Sequence, residues 1–154
     1  MHLGKKDFVE HTKSIIQTTR TLEEALRKIP EIEVMGTPQI SVIGIQSKDS
    51  SKLNIFNLYD ELKKKGWELS SLQRPDSFHI CITQVHASQF NFVQMFIQDI
   101  REGIEKVMKD SPTSLGKTAK IYCGTQEIPR EYADEFLIHY LNIVGQTEAK
   151  LLKK

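Results

Sequence analysis

Cysteine is almost missing from this sequence: of 154 residues, only Cys81 and Cys123 carry a thiol. Two thiols are too few for a disulfide scaffold or a zinc site, and their spacing is not C-x-x-C, so a reducing compartment is the default expectation. A surplus of one charge is missing as well. Lys plus Arg number 21 against 20 for Asp plus Glu, a net charge of +1, which removes the electrostatic case for a nucleic-acid partner. Long apolar runs are absent too. The longest, Ile40 to Ile45, is broken by Ser41 and Gly44, far short of the roughly 20 residues that cross a bilayer. Met1 to Lys6 has no apolar core of a signal peptide.

Familiar catalytic signatures are also lacking. The sequence contains no G-x-S-x-G, no G-x-x-x-x-G-K-[ST] and no H-E-x-x-H, which excludes the usual hydrolase, P-loop and zincin readings. Its histidines stand at positions 2, 11, 79, 86 and 139 without a close pair, so no metal site is expected.

What is present is the make-up of one folded domain, 39% hydrophobic and 27% charged. Phe8, Thr12, Ile15, Ile16, Thr19, Leu22, Leu26 and Ile29 recur at intervals of three and four, predicting a long amphipathic helix that Pro30 stops and that lies on a sheet. Ile32 to Val34 and Ile40 to Ile45 are short and β-branched, with turn residues Gly36 and Pro38 between them. The second is nearly all apolar, as in a strand covered on both faces or central to its sheet.

A helix is expected from Asn54 to Lys65, closed by Gly66. Trp67 anchors the corner to the next strand, around Leu69 and Leu72. Pro75 and Asp76 make a turn, and Phe78, Ile80 and Ile82 alternate with His79, Cys81 and Thr83. His79 therefore points to the opposite face from Phe78 and Ile80. Cys81 shares that face and is expected to be a small core residue. Val93, Phe96, Ile97, Ile100, Ile104 and Val107 form the clearest helical stripe. Asp110 to Lys120 loses the period and reads as a loop, and a last helix is expected from Arg130 to Ile143. The order predicts an α+β fold: a small, largely antiparallel sheet of about four strands with helices on one face. Residues 1–110 are read as the small α+β domain, and 111–154 as a carboxy-terminal extension of loop and final helix packed on it.

Several peptides, taken in order, are more specific. Thr37-Pro38-Gln39-Ile40-Ser41-Val42-Ile43, Lys65-Gly66-Trp67-Glu68-Leu69, Leu72-Gln73-Arg74-Pro75, Phe78-His79-Ile80-Cys81-Ile82-Thr83 with His86, Asp99-Ile100-Arg101-Glu102 and Ile121-Tyr122 follow one another. Together they resemble the carboxy-terminal region of the sphingosine-1-phosphate lyase family, pyridoxal-phosphate enzymes related to the group II decarboxylases. The resemblance runs from about Thr12 to about Phe136.

That resemblance implies the small domain of a fold-type I pyridoxal-phosphate enzyme. The family cleaves phosphorylated long-chain bases to a fatty aldehyde and phosphoethanolamine. The Schiff-base lysine, the carboxylate on the pyridinium nitrogen and the phosphate cradle belong to a large upstream domain, so Met1 is expected to be a truncated or split start. The chain alone is then expected to bind no cofactor and to have no catalytic residue, with pyridoxal phosphate found in the full-length enzyme. Expected partners are the large domain, a phosphorylated sphingoid base and a second subunit in a homodimer.

Three residues carry over as expected substrate-channel residues. Tyr122 matches the tyrosine of the family's Ile-Tyr-Gly segment, with Cys123 interrupting it before Gly124, and Gln73 and His79 match its Gln-x-Pro-x-x-x-His stretch. Arg74 and Asp76 depart from the pattern. The expected location is the cytoplasmic side of a membrane, at the endoplasmic reticulum if a eukaryotic whole protein carries an amino-terminal span. Two other readings stand beside this one: a free-standing α+β module that binds another protein without catalysis, and an enzyme pairing Cys81 or Cys123 with a histidine.

Overall fold

Alternating and three-four periodicities lay out the elements of the chain in a computed structural model that describes residues 4–110, 116–120, 132 and 135–143. Helix α1 spans Lys5–Leu26, followed by strands β1 (Ile32–Val34) and β2 (Val42–Ser47) and helix α2 (Ile55–Lys64). Strands β3 (Ser70–Leu72) and β4 (Ser77–Cys81), the short helix α3 (Gln84–Ser88) and helix α4 (Phe92–Lys109) complete the order. The sheet is wholly antiparallel, with strand order β1-β2-β4-β3.

Register sorts the side chains. Ile43 faces Ile80 and Ile45 faces Phe78 across β2 and β4, and Val34 lies opposite Ile45. All five are buried, on the face to which α1 and α2 hold most directly. Helix α4 packs on both of those helices. Its approach to α2 is close: a Cβ at Gly103 would lie 2.7 Å from Leu58 Cδ1. The four-stranded antiparallel sheet with helices on one face is the α+β architecture the periodicities predict. β2 is central, but its other face is not buried among the described residues: Val42 is exposed there and Gly44 and Gln46 are half-buried.

The helix ends follow local chemistry. α2 begins where Asn54 Oδ1 accepts the amides of Phe56 and Asn57 at 3.0 and 3.1 Å, satisfying donors that have no partner within the helix. It ends at Lys64, and two residues on Gly66 turns the chain away in the left-handed region at φ 91°. The basic run before Gly66 does more than complement the helix dipole. Lys65 bridges to Asp99 at 2.6 Å and to Glu102 on α4. Trp67 donates its indole N–H to Asp99 Oδ2 at 2.8 Å and packs edge-on against Phe96 and Phe92, as expected for a corner anchor.

Three local expectations are corrected. α1 ends at Leu26, four residues before Pro30. The chain tightens there into a turn, with Ile29 N–H bonded to the Leu26 carbonyl at 3.0 Å and the Ile29 side chain buried; a residue that precedes proline is kept out of helix. Cys81 is exposed rather than in the core: it lies on the face of the sheet opposite buried Phe78 and Ile80, where no described helix covers it. Residues 117–120 form a helical turn where composition predicts loop.

Two compact units divide the chain, Met1–Ala119 and Lys120–Lys154. Gly116 to Ala119 close the first by docking on α2. Gly116 N–H donates to Asn57 Oδ1 at 2.8 Å, Thr118 gives its N–H and hydroxyl to the Asp60 carboxylate at 3.0 and 2.5 Å, and Ala119 is fully buried. In the second unit, residues 135–143 are helical, within the range expected for a last helix. No described helix is long and apolar enough to cross a membrane.

Candidate functional site

Alternation in β4 decides which side chains leave the core. Phe78 and Ile80 turn to the helices, so His79 and Cys81 turn to the open face of the sheet. His79 sits at the middle of that face, opposite Gly44 on β2 and Ser70 on β3. It is half-buried, as the alternation predicts for a residue of that face. Gly44 leaves room beside it, and Met35 fills part of that room. A Cβ at position 44 would meet Met35 Sδ at 3.2 Å. Val42, opposite Cys81, and Leu72 complete the face at its edges, and both are exposed.

Gln73 follows β3 directly, in the turn to β4, and is exposed. The Leu72–Ser77 pairing separates it from His79 by about 10 Å along the strands, from three residue steps of ~3.3 Å. The hairpin thus puts Gln73 and His79 on one β3–β4 unit without bringing them together. Arg74, between Gln73 and a cis-linked Pro75, holds a positive φ of 60°. Tyr122 and Cys123 lie outside the described residues.

A half-buried imidazole on a sheet face can donate or accept one hydrogen bond and orient a polar group. Among the described residues the geometry does not assemble a nucleophile and base. The polar neighbour of Cys81 Sγ is Ser41 Oγ, at 3.9 Å, a weak contact to a hydroxyl and not to a histidine. No described group of three or more His, Cys, Asp or Glu could hold a metal ion. A Schiff-base lysine needs an amine sheltered from water so that it can lose its proton. None of the described lysines is buried, and Lys63, Lys64, Lys65 and Lys106 are each held in ion pairs. The described residues therefore do not fit a pyridoxal-phosphate anchor.

The part of the site that the sequence reading did not include is the Met35–Gly44 contact beside His79. An isolated glycine inside a strand, which often marks a close approach, was its only signal.

No family model matches the chain. Among proteins of known name, it is 35% identical over 143 residues to a sphingosine-1-phosphate lyase of Arabidopsis thaliana, covering 92% of this chain and 25% of that one. It is 36% identical over 149 residues to the sphingosine-1-phosphate lyase 1 of Rattus norvegicus, covering 96% of this chain and 26% of the relative. The chain is similar to sphingosine-1-phosphate lyases along almost its whole length. It spans about a quarter of the length of these lyases.

Solved structures share the fold. The sphingosine-1-phosphate lyase of Burkholderia pseudomallei superposes with a TM-score of 0.65 at 24% identity, covering 92% of this chain and 26% of that one. A glutamate decarboxylase of Lactobacillus brevis gives 0.60 at 17% identity, over 70% of this chain and 26% of that one. An Oryza sativa TDC solved with PLP and tryptamine gives 0.59 at 13% identity, over 69% and 24%. The four-stranded sheet and its helices are thus the architecture of a segment of such enzymes, and the longer lyases hold about three quarters of their length beyond what this chain matches.

Proposed function

We propose that this chain is the carboxy-terminal part of a sphingosine-1-phosphate lyase-like enzyme and is inactive without the part that binds pyridoxal phosphate. The whole enzyme would cleave phosphorylated long-chain bases to a fatty aldehyde and phosphoethanolamine, work as a homodimer and face the cytoplasm. One observation carries this reading. Identity of 35 to 36% extends over nearly all of the chain yet accounts for a quarter of each lyase.

The open face of the sheet is the surface on which the rest of the enzyme would sit, with His79 at its centre. Tyr122, His79 and Gln73 would line the substrate channel. In that role His79 and Gln73 donate or accept hydrogen bonds to the substrate's polar groups, and Tyr122 contributes a phenol. They bind and orient substrate, and the cofactor is held by residues beyond these.

The test has two arms. The purified 154-residue chain, mixed with pyridoxal phosphate, is expected to give no internal-aldimine absorbance and no turnover of a phosphorylated sphingoid base. The same chain joined to its upstream cofactor-binding part is expected to turn over. In that joined enzyme, His79→Ala raises KM about tenfold, the loss of a hydrogen bond worth ~1.4 kcal/mol. Borohydride-trapped cofactor on a lysine of the isolated chain would refute the reading. A joined protein that loads cofactor but leaves the sphingoid base uncleaved would limit the proposal to the fold and favour a non-catalytic interaction module.

A further inference from the structure

Helix α3 is five residues long, too short to hold itself together. Its first turn is closed by an unusual partner. The Thr83 backbone N–H donates to His86 Nδ1 at 3.0 Å, and the Thr83 hydroxyl lies 3.3 Å from the same nitrogen. A histidine thus stands three residues after the cap, where Glu or Gln closes the common capping box. Because Nδ1 accepts, the bonded ring is neutral and carries its proton on Nε2.

The same ring joins the helix layer. It stacks on buried Phe92 of α4, with centroids 4.7 Å apart and planes at 29°. It also lines a cleft of about 310 Å³, to which α1 gives Gln17, Thr18 and Thr21 and α4 gives Phe92, Val93 and Gln94. All of these residues are uncharged, and so are Ala87, Gln89 and Phe90 on the remaining wall. Burial lowers the imidazole below its ordinary value of 6.5, and among the described residues no carboxylate faces it to stabilise the cation.

We propose that His86 is an acid-operated latch: the neutral ring ties the Thr83 amide and fastens α3 between α1 and α4, and a proton from solvent on Nδ1 releases it. The cation cannot accept from Thr83 N–H, so the cap opens as soon as the proton arrives. The sign follows from the direction of the shift. The unfolded chain takes up this proton at about 6.5 and the folded one only at lower pH. Stability contributed by the latch is complete above about 6.5, declines as the pH falls from there, and stops declining below the folded value. The latch does not depend on the lyase reading.

Amide exchange and histidine NMR on the 154-residue chain test it between pH 7.5 and 5. The His86 ring is expected to titrate below 6.5, and the protection factor of the Thr83 amide to drop roughly fivefold through the same midpoint, the scale of a lost helix cap. Amides of Ile43 and Ile80 are expected to keep theirs. His86→Gln, which supplies a cap acceptor that does not titrate, should keep Thr83 protected at both ends of the range. Protection of Thr83 that ignores pH, or that follows a midpoint other than that of the His86 ring, overturns the proposal, as does acid release that persists in His86→Gln. The wild-type titration decides the matter even if that variant does not fold.

Discussion

Gly66 isolates one energy cleanly. It holds φ 91°, and a Cβ built on it would meet no atom within 4 Å, so any penalty for a side chain there comes from the backbone alone. Gly66→Ala is expected to destabilise the chain by about 1–2 kcal/mol, with Gly66→Asn losing less, as read by urea denaturation. At this scale His79 is legible in the sequence, because alternation with Phe78 and Ile80 fixes which way it points. Cys81 is not fully legible. Periodicity gives its face, but whether a helix covers that face is settled by chain connections far from β4. Met35 beside Gly44 was likewise hidden, since a contact between a turn and a strand leaves no period.

Among the elements, α2 and α4 are tied by Glu61, whose carboxylate takes Lys106 Nζ at 2.6 Å and Lys64 Nζ at 2.5 Å. Partial burial pushes this carboxyl up, but the hydrogen bonds from Lys106 and Lys64 outweigh it and hold the group below its usual 4.5. A depressed carboxyl contributes stability above its unfolded value and loses it as the pH falls through the folded value. Glu61→Gln should therefore be less stable near neutrality and lose less on acidification toward pH 3. Because Lys106 is 56% exposed, the difference is about 0.5 kcal/mol, measured by thermal melts across that range.

Long periodic elements such as α4 were legible because burial repeats along them. Helix α3 was not, since one turn without a buried residue has no period, and its cap uses a histidine that a capping-box search passes over. The end of α1 was misplaced for a related reason: the proline is visible in the sequence, but the tight turn that buries Ile29 before it is not.

For the whole molecule, the similarity accounts for about a quarter of the length of the lyases it matches, and none of the described lysines is buried. Exposure along α1 has a further consequence. The only buried residues of this 22-residue helix are Thr19, Leu22 and Leu26, and Phe8 is 66% exposed. Among the described residues its first three turns therefore bury no side chain, and a stretch of that length with so little packing is marginal in water. With nothing added, the 5–16 amides should exchange far faster than those of 19–26, and circular dichroism should lose about a dozen residues of helicity on mild warming, well before the sheet melts. A partner that covers this end would then register as a gain of helix there, a spectroscopic gauge of assembly.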